Sequence, residues 1–197
     1  MKTYLLLFFI SPLFVCSQSN SLNFGTNNTL DVVTWNLEWF PKNGNITIDS
    51  LKSIIEKIDA DVYALQEIDN IGSFNVLKNQ LLGYSGLLKN TSNLNLAFLY
   101  KNSITVDSAY SILDDYDYVF AGRTPFVIDL NFNGMNISLF NNHFKCCGDG
   151  TLNIGDSSDE EYRRLQAMNY LKNYIDNNNY SNAIILGDLN DLIEDNI

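Results

Sequence analysis

Ala183-Ile184-Ile185-Leu186-Gly187-Asp188-Leu189-Asn190-Asp191 joins an apolar run to an Asp and an Asn two positions apart. The run predicts a buried strand, and alternation along it turns both polar side chains the same way at its end. Hydrolytic sites of α/β proteins are often built so, with a rigid sheet presenting polar groups from its strand ends. A second stretch has the same form. Val62-Tyr63-Ala64-Leu65 reads as a buried strand ending in Gln66-Glu67, which brings a second carboxylate to a strand end.

Outward from these two strands the chain alternates strand and helix. Residues 31–35 predict a strand with Asn36 at its end. Leu51, Ile54, Ile55 and Ile58 recur at i, i+3, i+4 and i+7, the stripe of an amphipathic helix capped by Thr47 or Asp49 and broken at Asp59-Ala60-Asp61. The stretch around Phe74, Leu77 and Leu81 predicts a helix, and residues 96–100 a strand. Apolar runs flank Asn133-Gly134, a pair that permits positive φ at both turn positions and so signals an antiparallel hairpin running on into Asn141-Asn142-His143. A helix is expected over residues 159–175, with Tyr162, Leu165, Met168 and Leu171 on one side. Hairpins mixed with crossover helices predict an α/β fold of sheets covered by helices.

The 197 residues, 46% of them hydrophobic, suffice for one core and are too few for two full domains. One lysine followed by an apolar stretch from Tyr4 to Val15, shorter than a bilayer requires, predicts a signal peptide over residues 1–17. Residues 18–29 then form a linker and residues 30–197 the domain. Secreted or periplasmic location follows, with membrane anchoring through an acylated Cys16 as the alternative. The mature chain retains Cys146 and Cys147, adjacent thiols that read either as a vicinal disulfide or as two small loop residues. With a single His and no second Cys pair, a structural zinc site is not expected.

A formal charge of −11 weighs against a general nucleic-acid binder, which needs Lys and Arg for phosphate contacts. It leaves room for a metal-dependent phosphoesterase, where a bound cation supplies the positive charge locally. Nothing in the sequence predicts a stable protein partner.

Five segments, Thr34-Trp35-Asn36-Leu37-Glu38-Trp39-Phe40, Ala64-Leu65-Gln66-Glu67-Ile68, Gly122-Arg123-Thr124-Pro125, Asn141-Asn142-His143-Phe144-Lys145 and Leu186-Gly187-Asp188-Leu189-Asn190-Asp191, resemble in order and spacing the motifs of the endonuclease/exonuclease/phosphatase superfamily. DNase I-like nucleases, inositol-phosphate 5-phosphatases and sphingomyelinases belong to it. The resemblance implies a four-layer α/β/β/α sandwich with its site at the top edge of two packed sheets. It implies Glu67 as principal ligand of Mg²⁺, with Mn²⁺ as the alternative, and Asn36 beside it, placing metal or phosphate. Arg123 is similar to the family's phosphate-binding Arg. His143 resembles the His near the scissile phosphate, and Asp188 and Asn190 the pair that orients the attacking water and holds a phosphate oxygen.

Phosphodiester hydrolysis explains the residue types. It calls for a hard cation on oxygen ligands, a carboxylate to orient water and a donor near the leaving oxygen. Taken singly, each residue has a structural reading as a strand-end charge, turn former or loop residue; their joint order favours the site. Lys145 is a further candidate for substrate phosphate, while Arg163 and Arg164 read as a solvated helix face. The resemblance also predicts strands beyond Asp191 and a final Asp-His motif, and residues 192–197 carry no His. Two functions are therefore expected: a secreted, metal-dependent phosphodiesterase of endonuclease type acting on a phosphodiester or phosphomonoester, nucleic acid included, or a truncated domain without activity.

Overall fold

The computed structural model describes residues 25, 26 and 28–191. The expected signal peptide, Cys16 and the segment past Asp191 lie outside the described residues.

Among the described residues two four-stranded sheets carry the fold. The first has the order β1-β2-β4-β3, from β1 (Val32–Phe40), β2 (Val62–Ile68), β3 (Tyr84–Lys89) and β4 (Asn95–Lys101). The second has the order β5-β6-β7-β8, from β5 (Thr105–Ser111), β6 (Phe126–Phe132), β7 (Met135–His143) and β8 (Ala183–Asp188). Among the described strands only β1 with β2 and β7 with β8 pair in parallel. Both parallel pairs therefore end on the same side of their own sheet, as the strand-end reading requires.

Alternation sorts the side chains into three apolar layers. Tyr63 and Leu65 of β2 face outward to helices α1 (Asn45–Ile58) and α2 (Ile71–Gln80), meeting Leu51, Ile55, Phe74 and Leu77. Their neighbours Val62 and Ala64 face the other way, onto Ile128, Leu130 and Leu139 of the second sheet. Phe98 and Phe126 close this middle layer with ring centroids 5.5 Å apart. Val127 and Phe140 cover the far face of the second sheet and pack on Ala167 and Leu171 of α3 (Glu160–Asn177). Helices, sheet, sheet and helix stack as the expected α/β/β/α sandwich.

Several local expectations need correction. Helix α1 begins at Asn45, with Gly44 at its cap, ahead of Thr47 and Asp49; the Thr47 hydroxyl instead accepts from the Asn43 N–H. It ends where expected, at Asp59 in the left-handed region. Among the described residues β8 is the edge strand of its sheet rather than a buried one, and Ile184 and Ile185 stay 38% and 41% exposed. β3 and β5 carry no clear alternation and were not expected; each is the outermost strand of its sheet, where packing demands little of the sequence. The hairpin is as read: Asn133 and Gly134 have φ of 52° and 82°, and Phe132 pairs with Met135.

Arg163 and Arg164 are buried in α3, not solvated. Loop carbonyls supply what helix periodicity cannot show. Arg163 Nη2 donates to Tyr118 O, and Arg164 Nη1 donates to Lys145 O and Cys147 O at 3.2 and 2.8 Å. Cys146 and Cys147 are free thiols.

Candidate active site

The C-terminal ends of β1, β2, β7 and β8 converge on one edge, bringing together Asn36, Glu67, His143 and Asp188. Asn36 joins the carboxylates: its Nδ2 donates to Glu67 Oε1 at 2.9 Å and to Asp188 Oδ2 at 2.7 Å. A primary amide has two N–H groups there, and each is used.

Asn36 does not end its strand, as expected, but precedes a bulge. Pairing of β1 with β2 runs to Asn36 opposite Gln66 and resumes only at Phe40 opposite Ile68, so β1 carries the extra residues. Glu38 and Trp39 take positive φ within the bulge, which turns the Trp39 N–H onto Glu67 Oε2 at 3.1 Å. Glu67 is itself irregular. It has φ of 61°, and β2 skips register against β4 between Leu65 and Ile68. A non-glycine residue in this region is held by its surroundings, and bulges commonly re-aim side chains beside active sites. Here the bulge presents the Glu67 carboxylate at the edge.

A buried polar bridge fixes this edge between the sheets. Gln66 Nε2 donates to Asn141 Oδ1 at 2.7 Å, while Asn141 Nδ2 donates to Leu65 O and Ala97 O, each at 3.0 Å. Both side chains are essentially inaccessible. Sequence reasoning assigned neither a role; the signal available was two amides within otherwise apolar strands. Asn141→Leu removes a donor from two buried carbonyls and leaves Gln66 Nε2 with Ala64 O and Thr34 Oγ1, and we expect it to cost about 2–4 kcal/mol in urea unfolding.

His143, the last residue of β7, pairs with Asp188 of β8 and is 3% exposed. Its Nε2 stands 3.7 Å from Glu67 Oε1, and its Nδ1 is buried without a hydrogen-bond partner. Burial and the nearby Arg123 charge lower its pKa to about 4, against the pull of Asp188 and Glu67. The ring is therefore neutral at pH 7. Between its ordinary value of 6.5 and about 4, the unfolded chain binds the proton that the folded chain refuses, so stability falls as pH drops through this window. As the chain has one His, its ring resonances in metal-free protein should titrate near pH 4 by NMR.

Asp188 Oδ1 accepts from Asn190 N at 2.9 Å. Asn190, with φ of 53°, leaves the strand alternation and directs Nδ2 to Phe144 O at 3.0 Å. The two residues thus share a turn rather than a face. Arg123 is 5% exposed, and its Nε and Nη2 donate to His143 O and Phe144 O at 3.2 and 2.9 Å. It supports the backbone under His143 from behind. Lys145 is held by Cys146 O and by Glu160, and Glu38 pairs with Lys42 away from the site.

The donor set is suited to a hard cation. Two carboxylates converge on the N–H groups of Asn36, whose Oδ1 is turned to the Glu38 N–H; among the described residues no Lys or Arg lies within ion-pair distance of either carboxylate, and His143 beside Glu67 is neutral. Among the described residues no three His, Cys, Asp or Glu side chains form a group that could hold a metal ion.

Layer order, strand-edge carboxylates and the bridging Asn define a DNase I-like α/β/β/α protein. The profile of the Endonuclease/Exonuclease/phosphatase family matches residues 33–194, and the chain belongs to that family. Its fold is similar to that of D. rerio TDP2 complexed with single strand DNA product, at 17% identity and a TM-score of 0.68, over 83% of this chain and 61% of that one. It is also similar to a β-hairpin deletion mutant of beta toxin from Staphylococcus aureus, at 14% identity and a TM-score of 0.61, over 85% of this chain and 69% of that one. The human Nocturnin catalytic domain with bound sulfate anion matches at 18% identity and a TM-score of 0.59, over 84% of this chain and 65% of that one. The chain spans 64% of the humanized D. rerio TDP2 and 50% of TDP2 from C. elegans. No curated protein gives a significant match.

Proposed function

We propose that the chain is a divalent-metal-dependent phosphodiesterase acting on nucleic acid. The observation that carries this reading is the Asn36 amide held between Glu67 and Asp188, two carboxylates at a strand edge with no Lys or Arg within ion-pair distance among the described residues. Glu67 would hold Mg²⁺, which binds through one or two carboxylates and takes its remaining ligands from water and phosphate; Asn36, expected beside it as a ligand, turns its N–H groups to the carboxylates and its Oδ1 to the Glu38 N–H, and so would place the carboxylates rather than ligate the ion. When bound, the ion neutralises phosphate charge.

The chain's own residues do the rest. Asp188 orients the attacking water through a carboxylate oxygen and is itself placed by Asn36 and Asn190. His143 is neutral at pH 7 and acts as a hydrogen-bond partner of phosphate rather than as a cation. Arg123 keeps the His143 backbone in place. The DNA product in D. rerio TDP2 supports nucleic acid as substrate class, against which the net charge of −11 argues for few phosphate contacts outside the site. The apolar leader supports export of the mature protein, with acylation at Cys16 as the alternative, and the mass of the mature N-terminus distinguishes them.

The test is hydrolysis of single-stranded oligothymidylate in Mg²⁺ by wild type, Glu67→Ala and Asp188→Ala. Loss in both variants, with their circular dichroism unchanged, is expected; equal activity in all three overturns the reading.

A further inference from the structure

The described residues hold two buried guanidinium groups with no carboxylate within 4 Å. Arg123 and Arg163 are 5% and 8% exposed and take part in no ion pair; their hydrogen bonds go to backbone carbonyls, and Arg163 Nε has no partner. Arg164, the next residue along the helix, contrasts with them, since Glu161 and Asp191 flank it at 3.4 and 3.5 Å. Burying a cation without an anion is costly. Arg123 and Arg163 are moreover close enough to repel, for after burial, and against the pull of Cys146, Glu67 and Asp188, Arg163 is among the influences that lower the Arg123 pKa.

Both line one cavity of about 400 Å³ that Lys145, Tyr118, Asp117 and the exposed Ser92 complete. Three cations and one carboxylate face it, on a protein of net charge −11. Lys145 is partly neutralised by Glu160 at 3.4 Å, which leaves two guanidiniums facing the single carboxylate of Asp117 and a net positive cavity. Tyr118 lies under Arg163, its ring centroid 4.2 Å from the guanidinium carbon. The cavity adjoins the active edge: Arg123 spans from it to His143 O, and Lys145 follows His143 by two residues, a reach of no more than about 7 Å.

We propose that this cavity is a second phosphate subsite, taking a phosphate of the substrate that neighbours the one hydrolysed. The inference rests on the phosphodiesterase reading for its substrate, but not for the binding of phosphate itself. A planar guanidinium with a free N–H suits a phosphate oxygen, and two such groups suit its charge. The subsite would favour substrates with successive phosphates over esters with a single one.

The experiment has a binding arm and a kinetic arm. In EDTA, millimolar inorganic phosphate should raise the thermal midpoint of wild type and not that of Arg163→Gln; an equal response in both overturns the subsite, whether or not the protein is active. In Mg²⁺, Arg163→Gln should raise KM for oligothymidylate about tenfold with kcat unchanged, and leave KM for bis(p-nitrophenyl) phosphate unchanged. Equal effects on both substrates, or on neither, overturn it. If wild type hydrolyses neither substrate, the phosphodiesterase reading fails and the phosphate arm alone decides. Should Arg163→Gln not fold, Ser92→Glu at the exposed mouth tests the same point by repulsion, with the same outcomes. Thymidine 3′,5′-bisphosphate as inhibitor separates the sources: inhibition as strong as that by oligothymidylate supports the subsite with a small bisphosphate, and stronger inhibition by the polymer supports it with a nucleic-acid strand.

Discussion

Glu67→Gln is expected to lower kcat for phosphodiester hydrolysis by about 10²–10⁴-fold while the protein stays folded. The substitution keeps the size of the side chain, and Gln tolerates the φ of 61° no worse than Glu. Its carbonyl can still accept from Asn36 Nδ2, so the link to Asp188 survives. What disappears is one negative charge and one of the two anionic acceptors at Glu67. The other position becomes an NH2, which meets the Trp39 N–H donor to donor, so that hydrogen bond is lost at a cost of about 1–3 kcal/mol. Activity should therefore fall far more steeply than the loss of this one hydrogen bond lowers the thermal midpoint. Assay and calorimetry on the same preparation check this, and a fall in activity that merely tracks unfolding would deny Glu67 its role.

Gly187→Ala should do the reverse, removing stability and activity together. Gly187 has φ of 125°, and a Cβ there would lie 2.0 Å from the backbone oxygen of Asn142, its partner across the β7–β8 pair. Neither strand can yield cheaply, because Asn142 is buried and its side chain ties Phe140 O to Leu186 O. We expect about 3–5 kcal/mol of destabilisation. Asp188 is the next residue, so a displaced β8 also carries the carboxylate away from Asn36. Chemical denaturation gives the energy, and an Ala variant of wild-type stability would show that β8 approaches β7 less closely than described.

Strand ends made much of the site legible in the sequence. Glu67 and Asp188 follow apolar runs, and a parallel pair on each sheet delivers both to one edge. Asn-Gly marked the hairpin because few other pairs accept two positive φ values. The bulges at Glu67 and after Asn36 were not legible, since no glycine announces them and tertiary contacts hold the positive φ. The burial of Arg163 and Arg164 was hidden for a related reason: their acceptors are carbonyls of loops distant in sequence, which no helical period records. Arg123 had the right neighbourhood and an unforeseen task, since its guanidinium holds the His143 and Phe144 carbonyls.

The account stands on Glu67, Asn36 and Asp188 forming a cation-dependent hydrolytic centre, and the most direct measurement is turnover of oligothymidylate by protein dialysed against EDTA, before and after Mg²⁺ is restored. The predicted result is no turnover without the ion and recovery with it; turnover that is the same in both conditions, or absent from both, would contradict it.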